Sequence, residues 1–265
     1  MRGIILIAIG NPYYGRLAYN LCISIKASEG IPVALIYDDS AITHLSEEKK
    51  IFFDHMIKCP VEYKTQNGKN EWLKPKVFID KLTPFEETIF LDSDMVWNPY
   101  KKPSELFDRF ASVDFQIANR GYSKEVSGMA GFSLWADIAE IKQEHGISQY
   151  MDVSSEFIYF KSNEKAKEIF AQAQKIFETD RVAYRTFAGG KPDEPAFAIA
   201  IEQLNVSCET PFYPTFWHYH NVKRNVGRTE IISNYYAISM GGAHLTTPMK
   251  QMYNDFTKSC FNLLG

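Results

Sequence analysis

EETIFLDSDMVW, residues 86–97, places two aspartates, Asp92 and Asp94, one residue apart at the end of an apolar run. The run TIFL reads as a buried strand. Two like charges at i and i+2 repel each other where the dielectric is low. Their placement makes sense if a hard divalent cation sits between them. Mg2+ and Mn2+ prefer oxygen ligands and use one or two carboxylates plus substrate phosphates. The alternative is that both are turn residues or a helix cap.

Around this stretch, short apolar runs alternate with amphipathic ones. GIILIAIG (3–10) is apolar throughout, as a strand covered on both faces must be. RLAYNLCISIKAS (16–28) has helical spacing, and IPVALIYDD (31–39) reads as a second strand. SEEKKIFFDHMI (46–57) predicts a helix with Ser46 as N-cap, and KPKVFIDKL (74–82) predicts another. ETIFLDSD (87–94) is the third strand and DFQIAN (114–119) the fourth. This rhythm predicts an α/β fold, a mostly parallel central sheet with helices on both faces. Ligands of such sheets bind outside the carboxyl ends of the strands. GNPYYG, YDD and DSD all fall at such ends. Further on, a strand is expected within 154–163, helices over 163–178 and 189–205, and an extended aromatic and basic stretch over 210–228. A C-terminal amphipathic helix follows. There is no repeat and no flexible linker, which predicts a single domain.

Composition narrows the function classes. Of 265 residues, 45% are apolar and 23% charged, and the net charge is −3, so there is no global field to gather nucleic acid. The four cysteines, Cys22, Cys59, Cys208 and Cys260, are too scattered for a zinc knuckle or a disulfide scaffold and read as free thiols. The N-terminal apolar run is broken by Gly-Asn-Pro without a small-residue cleavage site, so it reads as a strand and not a leader. No run approaches the roughly 20 apolar residues that span a bilayer. The expectation is a cytoplasmic protein with no transmembrane segment.

KVFIDKLTPFEETIFLDSDMVWN (76–98) resembles the D-x-D region of the GT-A-fold glycosyltransferases. More narrowly, it resembles glycosyltransferase family 8, the group of glycogenin and the bacterial lipopolysaccharide sugar transferases. Lys76 matches that family's donor-holding basic residue. HLTTPMKQM (244–252) matches a C-terminal motif in which a His binds metal and a Lys contacts the donor diphosphate. The resemblance thus implies a metal site of Asp92, Asp94 and His244, with Lys250 on the diphosphate. Thr247, Gln251 and Met252 depart from the motif. In the first loop, Gly10, Asn11 and Tyr14 match residues that hold uracil and ribose. Asp38 and Ser93 join the implied donor contacts. KPDEPAFAIA (191–200) looks like the family's polar loop before a helix, with Asp193 and Glu194 at its two polar positions. SSEFIYF (154–160) resembles another of its strands, with Glu156 replacing a Gly.

The resemblance implies one GT-A domain over 1–265, with about 1–120 as the nucleotide-sugar half and about 121–265 as the acceptor-side half. It implies a hexosyltransferase of retaining type that uses Mn2+ or Mg2+ and a UDP-sugar. An inverting enzyme would need a carboxylate base, for which Glu156, Asp193 and Glu194 are the candidates. The stretch 215–228 interleaves Phe216, Trp217 and Tyr219 with Lys223, Arg224 and Arg228, suiting a saccharide or glycoconjugate acceptor. Two other readings stand beside this one. The acceptor is a hydroxymethylated base in DNA, or the protein binds nucleotide-sugars without catalysis.

Overall fold

The computed structural model describes residues 1–123, 137–179, 190–217, 228–239 and 247–264. In chain order its strands are β1 (Arg2–Ala8), β2 (Val33–Tyr37), β3 (His55–Lys58), β4 (Thr65–Gln66), β5 (Lys69–Asn70), β6 (Glu87–Leu91), β7 (Met95–Trp97), β8 (Phe115–Tyr122), β9 (Met151–Lys161), β10 (Thr215–Trp217) and β11 (Ala237–Ser239). The helices are α1 (Pro12–Ser28), α2 (Glu47–Lys50), α3 (Ile79–Leu82), α4 (Pro103–Arg109) and α5 (Ile138–His145). They continue with α6 (Glu164–Glu178), α7 (Glu194–Gln203), α8 (Arg228–Asn234) and α9 (Thr247–Leu264). The chain divides into two units, Met1–Lys58 with Pro84–Ser112 and Tyr213–Gly265, and Cys59–Thr83 with Val113–Phe212.

The first unit carries parallel strands in the order β3-β2-β1-β6. Leu6 pairs with Leu35 on one side and Leu91 on the other. A strand so flanked buries both faces, which is why β1 is apolar at every position from Ile4 to Leu6. Helix α1 starts earlier than its apolar period suggests. The Asn11 side chain accepts from the Tyr13 N–H at 2.9 Å as N-cap, and Pro12 opens the first turn. Helix α1 packs on β7 and on α9. Leu17, Val96, Phe216, Ile231, Ile238, Tyr253 and Phe256 close a second core there, beside a small sheet ordered β10-β11-β7.

Gly15 is where α1 passes the loop after β2. A Cβ on Gly15 would lie 2.1 Å from the Ala41 carbonyl oxygen, so backbone would have to move. Gly15→Ala should cost about 1–3 kcal/mol or more despite the higher helix propensity of Ala. Urea denaturation of the two proteins measures it. An unchanged midpoint would mean that the helix approaches less closely than described.

One expected element is corrected. The helix over 46–57 exists only as Glu47–Lys50, and His55–Lys58 is a strand paired with β2. The Asp54 carboxylate accepts from the Val33 N–H at 2.7 Å and from Lys26, which fixes the chain at the sheet edge. Tertiary pairing overrides the local helical signal there.

In the second unit β8 and β9 run antiparallel under α6 and α7. Phe115, Phe160, Phe170 and Phe197 interlock at ring-centroid distances of 4.8–6.3 Å. The ladder breaks twice. It steps from Ile117↔Ile158 to Ala118↔Ser154, so Ser155, Glu156 and Phe157 bulge out without partners in the ladder. It steps again from Asn119↔Val153 to Tyr122↔Met151, so Arg120 and Gly121 together face Asp152, with Gly121 at φ +93°. Bulges of this kind re-aim side chains and gather next to functional sites.

The fold is therefore α/β, with a mostly parallel sheet flanked by helices, as the sequence rhythm predicts. All four cysteines are free thiols, and burial pushes the Cys22 thiol up to about 12. Among the described residues, no helix is long and apolar enough to cross a membrane.

Candidate functional site

In the first unit, the loops after β1, β2 and β6 meet at the carboxyl ends of the parallel strands. The turn after β6 is pinned by its middle residue. The Ser93 hydroxyl donates to the Ile7 carbonyl of β1 and is buried. Asp92 and Asp94, on either side of it, stay half-buried. The sequence Asp-Ser-Asp thus encodes an anchor between two carboxylates. Two hard oxygen donors in one tight turn fit Mg2+ or Mn2+. Among the described residues no three metal-ligating side chains stand together. The expected third ligand, His244, lies outside the described residues, and Lys250 falls in the first turn of α9.

Asp38 joins two of these loops. Its carboxylate accepts from the Gly10 N–H at 3.1 and 3.2 Å, from the Ser40 hydroxyl at 2.7 Å and from the Ala41 N–H at 3.0 Å. Gly10 sits at φ +83°, where glycine alone is unstrained. Beside this staple is a cavity of about 320 Å3 lined by Asn11, Pro12, Tyr13, Arg16 and His44. The Arg16 guanidinium lies 5.3 Å from the centre of the Tyr13 ring. Tyr14 is exposed next to it. An aromatic face beside a cation suits a base or a phosphate. Arg16 and His44 are not distinguished by the sequence, because the fold alone brings residue 44 to the start of α1.

The second unit gathers a separate group of charges. Lys76, in the 3-10 turn Lys74–Phe78, is buried and donates to the Ser155 hydroxyl at 3.2 Å. Arg120 pairs with Asp152 at 3.2 Å across the second bulge. Glu194 opens α7 and feels Asp193, Arg120, Lys76 and Asp152 together. Burial, then Asp193, pushes its carboxyl up to about 8, while Arg120 and Lys76 pull the other way. Burial also raises the Asp152 carboxyl, opposed by Arg120. Glu194 keeps some accessible surface. Asp193 is 2% exposed, its side chain does not cap α7, and its Oδ2 has no hydrogen-bond partner. A capping hydrogen bond therefore does not account for it.

Of the expected residues, Lys76, Asp193 and Glu194 come together in this group. Glu156 lies in the first bulge, one residue from Ser155, and is buried. Sequence reasoning misses Arg120, Asp152 and Ser155. The one readable hint is Gly121, since glycine inside a strand often marks a bulge.

The Glu194 carboxyl gives a pH signature. Its folded value, about 8, exceeds the ordinary value of 4.5, so the native state binds the extra proton. Its contribution to stability is full below the ordinary value and is lost as pH rises through the folded one. Glu194→Gln should raise the thermal midpoint at about pH 9 and leave it near wild type at about pH 5. Scanning calorimetry at both values checks this. An equal shift at both would assign the effect to packing.

No protein-family model matches the chain, and no curated protein matches it. Solved structures do. The bifunctional glycosyltransferase WbbM superposes with a TM-score of 0.61 at 13% identity, over 98% of this chain and 49% of that one. The galactosyltransferase LgtC, solved with donor and acceptor sugar analogs, gives 0.59 at 9% identity, over 98% and 96%. Mouse xyloside xylosyltransferase 1 gives 0.53 at 9% identity, over 93% and 100%. The chain spans about half of WbbM and nearly all of the other two. Its fold is that of the GT-A glycosyltransferases.

Proposed function

We propose that this protein is a metal-dependent glycosyltransferase of the family 8 type. It would move a sugar, a hexose, from a UDP-sugar to a hydroxyl of a saccharide or glycoconjugate. The observation that carries the reading is the Asp92-Ser93-Asp94 turn, anchored by Ser93 at the carboxyl end of β6 in a chain with this fold. Asp92 and Asp94, with His244, would hold Mn2+ or Mg2+. When bound, such an ion neutralises charge growing on the leaving diphosphate.

This chain's own residues do the rest. The loop of Gly10, Asn11 and Tyr14, held in shape by Asp38, receives the nucleoside. Lys76 and Lys250 supply positive charge for the diphosphate. Burial and Asp193 push the Glu194 carboxyl up, which makes it a poorer base for the acceptor than Asp193 or Glu156. The family 8 type implies retention of the anomeric configuration, and NMR of the first-formed product reads it directly.

Calorimetry of UDP with and without Mn2+ tests the reading. Binding that requires the metal supports it, and no UDP binding in either condition overturns it. Release of free sugar and UDP from a UDP-sugar separates an enzyme from a binding protein. The acceptor stretch over 215–228 lies largely outside the described residues.

A further inference from the structure

Helix α9 turns Tyr253, Phe256 and Cys260 inward, at i, i+3 and i+7. The Tyr253 ring packs in the first unit's second core with Leu17 of α1 and Val96 of β7. Val96 lies two residues past Asp94, so the ring stands beside the strand that leaves the paired aspartates. Tyr13, Leu17 and Asn20 fall at i, i+4 and i+7 and share one face of α1. Tyr253 is 5% exposed, and its hydroxyl oxygen is buried without a hydrogen-bond partner. The groups it feels belong to the same unit. Burial raises the phenol above its ordinary value, Asn20 and Thr257 oppose this, and Asp94 and Tyr13 add to it. Buried tyrosine hydroxyls usually find a partner, and leaving one without is unfavourable.

We infer that Tyr253 is a positioning residue for the metal turn, and that its hydroxyl donates to the Asp94 carboxylate when that carboxylate engages a divalent ion. The inference rests on the metal-dependent donor reading above and adds a residue to it. A carboxylate has two oxygens, so one can face an ion while the other accepts an O–H. A phenol has one hydrogen to give, and here nothing takes it. Carboxylates that bind metals are themselves held by hydrogen bonds, and those outer partners set how the ligand is turned. A cation between Asp92 and Asp94 also removes their mutual repulsion, which leaves orientation as the remaining demand on Asp94. Tyr253 meets that demand from a ring already fixed by the core, so little freedom is lost when the hydrogen bond forms.

Tyr253→Phe removes the hydroxyl alone and keeps the ring against Leu17 and Val96. Calorimetric titration of Mn2+ at saturating UDP should show the variant binding the ion about tenfold more weakly than wild type. Its metal-free thermal midpoint should stay the same or rise, because a buried hydroxyl without a partner has been removed. The two readouts separate positioning from packing. A lower metal-free midpoint would mean that the hydroxyl already serves the core, and an unchanged Mn2+ affinity would mean that it does not serve the turn. Either result overturns the inference and leaves the nucleotide site standing. Wild-type protein that takes up no UDP with Mn2+ present overturns both.

Discussion

Asp94→Ala should remove Mn2+-dependent UDP binding, weakening it by at least about 100-fold. The size follows from where the residue sits. Asp94 is one of two carboxylates in a turn whose only buried polar side chain, Ser93, is spent on the Ile7 carbonyl. No neighbour in that turn can replace a lost oxygen donor. Losing residues that merely orient metal ligands already costs about 10–100-fold, and losing a ligand costs more. Metal-free thermal stability should fall little, because Asp94 is half-exposed and its removal relieves repulsion with Asp92. Ser93→Ala should give an intermediate loss, since it frees the turn without removing a donor. Calorimetry of the two variants with UDP and Mn2+ measures both. If Asp94→Ala binds as wild type does, the paired aspartates are turn residues and the donor reading fails.

Phe170→Ala should be the most destabilising of the single changes considered. Phe170 has no exposed surface, and its ring meets Phe160, Phe197 and Phe115 at 4.8, 5.7 and 5.8 Å. It ties α6 to both α7 and the β8–β9 pair. Truncation loses the transfer free energy of the ring and leaves a cavity that three other rings can fill only partly. The expected loss is about 3–5 kcal/mol. Urea denaturation of variant and wild type gives the difference. A loss below about 1 kcal/mol would mean that the cluster collapses around the gap.

Much of this was legible in residue order. The solid apolar character of 3–10 and 87–91 announced doubly covered strands, and Ala-rich 163–178 announced α6 with its Asn163 cap. Asp92 and Asp94 stood out because like charges rarely close a buried strand without cause. Residues 51–57 misled, because IFFDHMI carries no period that separates a helix from an edge strand. What decides is Asp54 reaching Val33, a contact between separate stretches of chain. Arg120 and Asp152 were hidden for a similar reason. Their meeting depends on a slip in the β8–β9 ladder, and register has no signature in a single strand.

The first unit is assembled from three separated stretches of chain, and α1 packs on α9. A ribosome delivers the N-terminus first, at about 5–20 residues per second. Helix α1 therefore leaves the tunnel long before Tyr253 and Phe256 exist to cover Leu17. The second unit ends at Phe212, so all its parts are available while the first still lacks its closing helix. Birth order and assembly order run opposite ways here. The earliest-made apolar surface waits longest for its cover.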